Sequence, residues 1–265
     1  MIVLGIHDGH NSSACIFING ELKAAIAEER LSRQKHEYGY PRRAVRACLD
    51  IVDINKEDID RVGVSTLKLP PMYFMTRRNA SFDINDFWRE QREYWYPRLY
   101  EKKSPSFTKI FSDKVDLDAL PYDWSLVRDE NDAKGMLTAR LKLISEELNI
   151  DKGHISVHDH HTCHAYYGYY TYPNRELPLL VYTMDGGGDG CNGSVWEFLP
   201  RQKPRELSRS ANCNIGRMYR YTTLILGMRP TDHEFKVMGL AAYSTENTSH
   251  FAEEAYKIFA ETLQV

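Results

Sequence analysis

Near the start of the chain, apolar positions come in short compact runs separated by polar breaks, a pattern of strands rather than helices. Ile2 to Ile6 is one run and Ser13 to Ile18 a second. Asn19-Gly20 follows, a pair that tolerates positive φ at both positions of a two-residue hairpin turn, and Glu21 to Ala27 returns as a third strand. Pro41 opens a segment in which Ala44, Val45, Ala47, Cys48, Ile51 and Val52 recur at helical spacing. Arg61 to Thr66 predicts a short strand. Asp132 to Leu148 predicts an amphipathic helix with Met136, Leu137, Leu141, Leu143, Ile144 and Leu148 as its apolar positions. Ile155 to His158 predicts a strand and His160 to Tyr170 a helix, ended by Pro173. Leu179 to Met184 and Gly193 to Phe198 predict the arms of a hairpin. The tail predicts helices over Ile215 to Leu226, Phe235 to Tyr243 and Phe251 to Leu263. Strands and helices interleave, so the fold class is α/β.

One stretch breaks this pattern. After Leu69-Pro70-Pro71, and up to about Trp124, the chain carries Phe82, Phe87, Trp88, Tyr94, Trp95, Tyr96, Tyr100, Phe107 and Phe111 among Arg and Lys. Such a segment can serve as a partner or ligand surface. The favoured expectation is an inserted helical segment that packs its aromatics on the core, because aromatic rings dominate buried area.

Composition narrows the function classes. The chain has 265 residues, with 34 Lys+Arg against 37 Asp+Glu and a formal charge of −3. That balance argues against a general nucleic-acid binder, whose affinity comes from clustered Lys and Arg. The five cysteines are scattered with no CxxC pair, which disfavours a disulfide framework or a cysteine-based zinc knuckle. The opening MIVLGIHDGHN has no basic leader, and the apolar runs are too short to span a bilayer, so the expectation is a cytoplasmic protein without a membrane segment.

The chemistry-bearing residues cluster. Of ten histidines, five lie between His154 and His164. On a helix, His160 and His164 at i, i+4 face the same way, a common way to hold a transition metal with a carboxylate from elsewhere. Position 161 is His and not the Glu of the HExxH protease pattern, which disfavours a zinc protease. His161 points about 100° away and is expected to bind substrate or to pack. A histidine cluster without metal is the plain alternative. The run Asp185-Gly186-Gly187-Gly188-Asp189-Gly190 leaves backbone N–H groups open to an anion, with Asp185 placed to coordinate a metal; a glycine-rich hairpin turn is the plain alternative. His7 to Ser13 is a polar loop of similar character. A small-residue hairpin loop at the start and a second Asp-Gly-rich hairpin in mid-chain resemble the phosphate loops of the actin-like ATPase superfamily, built on a duplicated ribonuclease-H-like fold.

Six segments, in order, sharpen that resemblance. They are GIHDGHNSSACIF near the start, EERLSRQKHEYGYP from Glu28, HHTCHAYYGYY from His160, MDGGGDGCNGSVW from Met184, IGRMYRYTTLILGM from Ile215 and HEFKVMGLAAY from His233. Together they resemble the carbamoyltransferase family of nodulation and antibiotic O-carbamoyltransferases, whose first domain is similar to the tRNA threonylcarbamoyl-modification ATPase. The resemblance implies transfer of a carbamoyl group from carbamoyl-adenylate, made from carbamoyl phosphate and ATP, to a sugar-like acceptor hydroxyl. It implies that Asp8, His10 and Lys35 line the transfer site, with Asp8 holding His10 as general base. It implies that His160, His164 and Asp185 hold a divalent transition metal, iron first and zinc as alternative. Ser12, Ser13 and Gly186 to Gly188 would then face the nucleotide phosphates, and Glu234 and Lys236 would approach the nucleotide. The expected organisation is a first ribonuclease-H-like lobe over 1–174, with its aromatic-rich insertion at about 70–124, and the start of an incomplete second lobe over 175–265. No YrdC-like adenylate-forming domain is expected in the chain, so a second polypeptide or a missing C-terminal region would complete the enzyme. A kinase or phosphohydrolase of the same superfamily, or a non-catalytic, partner-dependent metal- or nucleotide-binding module, are the competing readings.

Overall fold

The computed structural model describes residues 1–243, 245 and 249–263. The chain forms two compact units, one of Met1–Phe82 and Arg89–Gly168, the other of Asp83–Trp88 and Tyr169–Val265.

The first unit is built on a five-stranded mixed sheet of order β3-β2-β1-β4-β5. Its strands are β1 (Ile2–His7), β2 (Ser13–Ile18), β3 (Glu21–Ala27), β4 (Arg61–Ser65) and β5 (Ile155–His158). The first three form an antiparallel meander, whereas β4 and β5 run parallel to β1. Asn19 and Gly20 both take positive φ, 52° and 85°, as the Asn-Gly turn requires. The expected helix after Pro41 spans Arg42–Val52, with Pro41 as its N-cap. It buries Ala44, Val45 and Cys48 and leaves Ile51 exposed. The helix Ala133–Leu148 is capped by the Asp132 side chain, which accepts from the Gly135 N–H. Both helices join Leu4, Ile6, Ala14, Ile16, Val62 and Val64 in one apolar core.

The segment after Leu69 is helical in short pieces, and its aromatics pack inward. Phe82, Tyr94, Phe107 and Phe111 are buried. Phe82 and Phe111 lie 4.5 Å apart by ring centroid, and Phe107 meets Tyr94 edge to face at 5.1 Å. Each such ring contributes about 1.5–3 kcal/mol relative to an exposed one. Tyr96 and Tyr100 stay exposed. Within this cluster Arg78 donates to both oxygens of Glu90, and the two side chains are almost wholly buried. Glu90 opens a π-helical turn, Glu90–Trp95, and also accepts from the Trp95 indole at 2.9 Å.

The second unit carries an antiparallel sheet of order β6-β7-β8: β6 (Leu179–Gly188), β7 (Cys191–Phe198) and β8 (Arg205–Ser210). The polar strand β8 is absent from the sequence pattern. The helices Ile215–Ile225, Glu234–Leu240 and Ser249–Leu263 follow the expected order. No helix among the described residues is long and apolar enough to cross a membrane.

Candidate functional site

Parallel pairing brings the C-terminal ends of β1, β4 and β5 to one edge of the first unit's sheet. His7 and Asp8, Ser65 and Thr66, and His158 to His160 lie where these strands end. The carboxyl ends of parallel strands are where open α/β sheets present ligand-binding groups. Asp8 is fully buried, and Arg140 takes both of its oxygens: Nε donates to Oδ2 at 2.8 Å and Nη2 to Oδ1 at 2.7 Å. The Tyr122 hydroxyl approaches the same carboxylate at 3.5 Å, and burial beside Asp8 pushes the Tyr122 phenol well above its ordinary value. Arg140 also donates to the carbonyls of Thr66, at 3.0 Å, and Ser65, at 3.2 Å. The guanidinium grips both carboxylate oxygens, so Asp8 anchors the loop that carries His10.

The imidazole that lies inward is His7. Its Nδ1 sits 2.7 Å from Ser65 Oγ and its Nε2 3.0 Å from the His10 carbonyl. The carbonyl can only accept, so Nε2 carries the proton and Nδ1 accepts from the Ser65 hydroxyl. Burial pushes this ring below its usual value, which keeps it neutral near pH 7.

His160 and His164 meet as the i, i+4 spacing predicts, on the helix His160–Thr171, with their Nε2 atoms 3.1 Å apart. Two nitrogens bound at about 2.1 Å to one metal stand about 3.0 Å apart at a right angle and about 3.4 Å apart in a tetrahedron. The observed spacing lies in that interval, so the pair fits a metal. The other nitrogen of His160, Nδ1, is hydrogen-bonded to Thr66 Oγ1 at 3.1 Å, the outer contact that metal-binding histidines usually make. His161 is buried and packs.

The loop bearing Lys35 lies across the loop between β1 and β2. Ser12 N–H donates to the Glu37 carbonyl at 3.1 Å, and Gly39 N–H to that of Asp8 at 3.1 Å. Asp8, His10, Ser12, Ser13 and Lys35 are thus gathered on neighbouring backbone. Lys35 is exposed, and Arg77 holds both flanks of it through Gln34 and Glu37. Ser12 is fully buried, and its Oγ has no hydrogen-bond partner among the described residues.

In the second unit the glycine run belongs to the hairpin that its flanking strands predict. The strand β6 continues to Gly188, and Asp189 and Gly190, at φ 53° and 79°, make the turn. The ladder pairs Met184 with Gly193 but Gly188 with Cys191, so Asp185, Gly186 and Gly187 bulge out of register. Gly187 takes φ 144°, a backbone that side chains rarely tolerate. Arg217, at the start of the helix Ile215–Ile225, donates from Nε to the Gly186 carbonyl at 3.0 Å. Glu234 Oε1 accepts from Thr231 N–H at 2.7 Å and so steadies the turn before the helix Glu234–Leu240, while Lys236 is exposed within it.

Thr66, His7, Arg140 and Arg217 were not singled out from sequence. Arg140 had a signal: it lies four residues after Met136 and four before Ile144, on the apolar side of its helix. Thr66 and His7 had none beyond their places at strand ends.

Comparison with known proteins adds a family and several relatives. The family described as "Carbamoyltransferase N-terminus" matches residues 2–263. Nodulation protein NolNO of Sinorhizobium fredii is 26% identical over 234 residues, covering 88% of this chain and 28% of that protein. An uncharacterized protein of Synechocystis sp. is 23% identical over 234 residues, covering 88% of this chain and 33% of that protein. An uncharacterized protein of Methanocaldococcus jannaschii is 33% identical over 138 residues, covering 46% of this chain and 22% of that protein. The chain therefore spans about a third or less of the length of these relatives.

Proposed function

From the premise that this chain belongs to the carbamoyltransferase family, matching its N-terminal region, we propose that it carries the transfer site of an O-carbamoyltransferase. The observation that carries the reading is the family match over residues 2–263. Its geometric support is the gathering of Asp8, His10, Ser12 and Lys35 on adjoining loops beside the strand ends. The fold in this reading is ribonuclease-H-like and actin-like, in keeping with the meander and parallel strands of the first sheet.

The donor is carbamoyl-adenylate, formed from carbamoyl phosphate and ATP by a second polypeptide or a further region, and the acceptor is a sugar-like hydroxyl. The acceptor oxygen attacks the carbamoyl carbon, the bond from that carbon to the phosphate oxygen breaks, and AMP departs. His10, exposed on its loop, takes the hydroxyl proton. Lys35 offers an ammonium to the negative charge that grows on the carbamoyl oxygen and the departing phosphate. Asp8, held by Arg140, fixes the backbone between them. Ser12 and Ser13 and the glycine bulge at Gly186 to Gly188 accommodate phosphate, and Glu234 and Lys236 stand toward the nucleotide. His160 and His164 would hold a divalent metal, iron or zinc, with Asp185 the further ligand that the family resemblance implies, and the metal would supply Lewis-acid polarisation.

The test supplies the full chain with prepared carbamoyl-adenylate and a panel of amino sugars and oligosaccharides. Carbamoylated acceptor, detected by mass spectrometry, is expected, and Lys35→Ala or His10→Ala should lower its formation about 100-fold or more. ATP hydrolysis that needs no carbamoyl donor, with no carbamoylated product, overturns the reading in favour of a phosphohydrolase.

A further inference from the structure

We propose that Thr66 is a positioning residue for metal binding at His160: its side-chain oxygen receives the Nδ1 proton and fixes the ring so that Nε2 faces the point shared with His164. The inference rests on the metal-binding reading above and adds a residue that does not itself touch the metal.

Independent observations meet at this threonine. Its Oγ1 lies 3.1 Å from His160 Nδ1, and the residue is 3% exposed, so the contact is shielded from water. Its backbone takes φ 69°. A β-branched residue in the left-handed region is strained, and such strain persists only where the surroundings over-determine it. Here they do. The Thr66 carbonyl accepts from Arg140 Nη1 at 3.0 Å, the neighbouring Ser65 carbonyl accepts from Nη2 at 3.2 Å, and the same guanidinium is locked on Asp8. The clamp that anchors the first loop therefore also turns the end of β4 and aims the Thr66 hydroxyl at the histidine.

The chemistry then follows from the ring. An imidazole that binds a metal through Nε2 must carry its proton on Nδ1 when neutral. A fixed acceptor at Nδ1 stabilises that tautomer and limits rotation of the ring, which raises metal affinity. Valine keeps the shape and the β-branch of threonine but has no oxygen. Serine keeps the oxygen and loses only the methyl group.

The full chain is titrated with Zn²⁺ in competition with a chromophoric chelator, alongside thermal melting of the metal-free proteins. Thr66→Val is expected to weaken zinc binding about 10–100-fold with little change in Tm, while Thr66→Ser stays near wild type. Thr66→Val that binds as tightly as wild type overturns the proposal. Zinc binding that His160→Ala and His164→Ala leave unchanged instead overturns the metal-binding reading beneath it. Should the valine variant fail to fold, nitrogen-resolved NMR of the zinc-loaded wild-type chain decides. A slowly exchanging His160 Nδ1 proton supports the proposal, and one in fast exchange with water overturns it.

Discussion

Between β1 and β2, the loop is gripped by side chains and backbone from far along the chain: Arg140 on Asp8, and the Glu37 and Gly39 backbone on Ser12 and Asp8. Between β6 and β7 the hairpin carries its special geometry in its own backbone, in the bulge at Asp185 to Gly187 and the Asp189-Gly190 turn, with Arg217 donating to the Gly186 carbonyl from the following helix. The first arrangement fixes side chains and depends on distant charge. The second keeps peptide N–H groups clear of Cβ atoms and depends on glycine. Two hairpins that look alike as sequence reach a defined shape by different physics.

The sharpest way to break the contrast is at the clamp. Arg140→Met leaves Asp8 buried without its countercharge and should cost about 3–5 kcal/mol in urea unfolding. A loss below 1 kcal/mol, or about a surface pair's worth, would mean the pair is not anchoring the loop. In the other hairpin, Gly187→Ala forces a side chain into φ 144° and should cost about 1–3 kcal/mol. Hydrogen exchange should show the loss confined to β6 and β7, and protection unchanged there would remove the bulge from the comparison. The smallest effect concerns His7. Its value lies below the ordinary one, so below about pH 6.5 the unfolded chain binds the proton more readily than the folded one. Stability is then full above that pH and falls as the solution is acidified toward the folded value. His7→Asn should flatten part of this slope in chemical denaturation at pH 7 and pH 5, and an unchanged slope would assign the acid sensitivity elsewhere.

Much of this was legible in the chain. The meander, the Asn19-Gly20 turn and the helices Arg42–Val52 and Ala133–Leu148 follow from local period and turn chemistry alone. The pairing of His160 with His164 was legible because helical spacing is itself a distance. The strand β8 was not, since Arg205 to Ser210 is an exposed edge with polar side chains and no apolar alternation. The ion pairs of Arg140 with Asp8 and of Arg78 with Glu90 were not legible, because sequence shows charge but not the partner that makes burial tolerable. The bulge escaped because a glycine run states what backbone is permitted, and only the register with β7 states which is used.

The distance along the chain between Asp8 and Arg140, 132 residues, has a consequence for assembly. During synthesis the residues of the first hairpin are made long before the guanidinium that will cover the Asp8 carboxylate. Until the helix Ala133–Leu148 docks, Asp8 must remain hydrated, because burial without Arg140 is too costly. The same guanidinium also holds the Ser65 and Thr66 carbonyls at the end of β4, so the two loops share one anchor. The loop that carries Asp8 thus depends for its burial on a residue that lies outside every motif quoted for the chain.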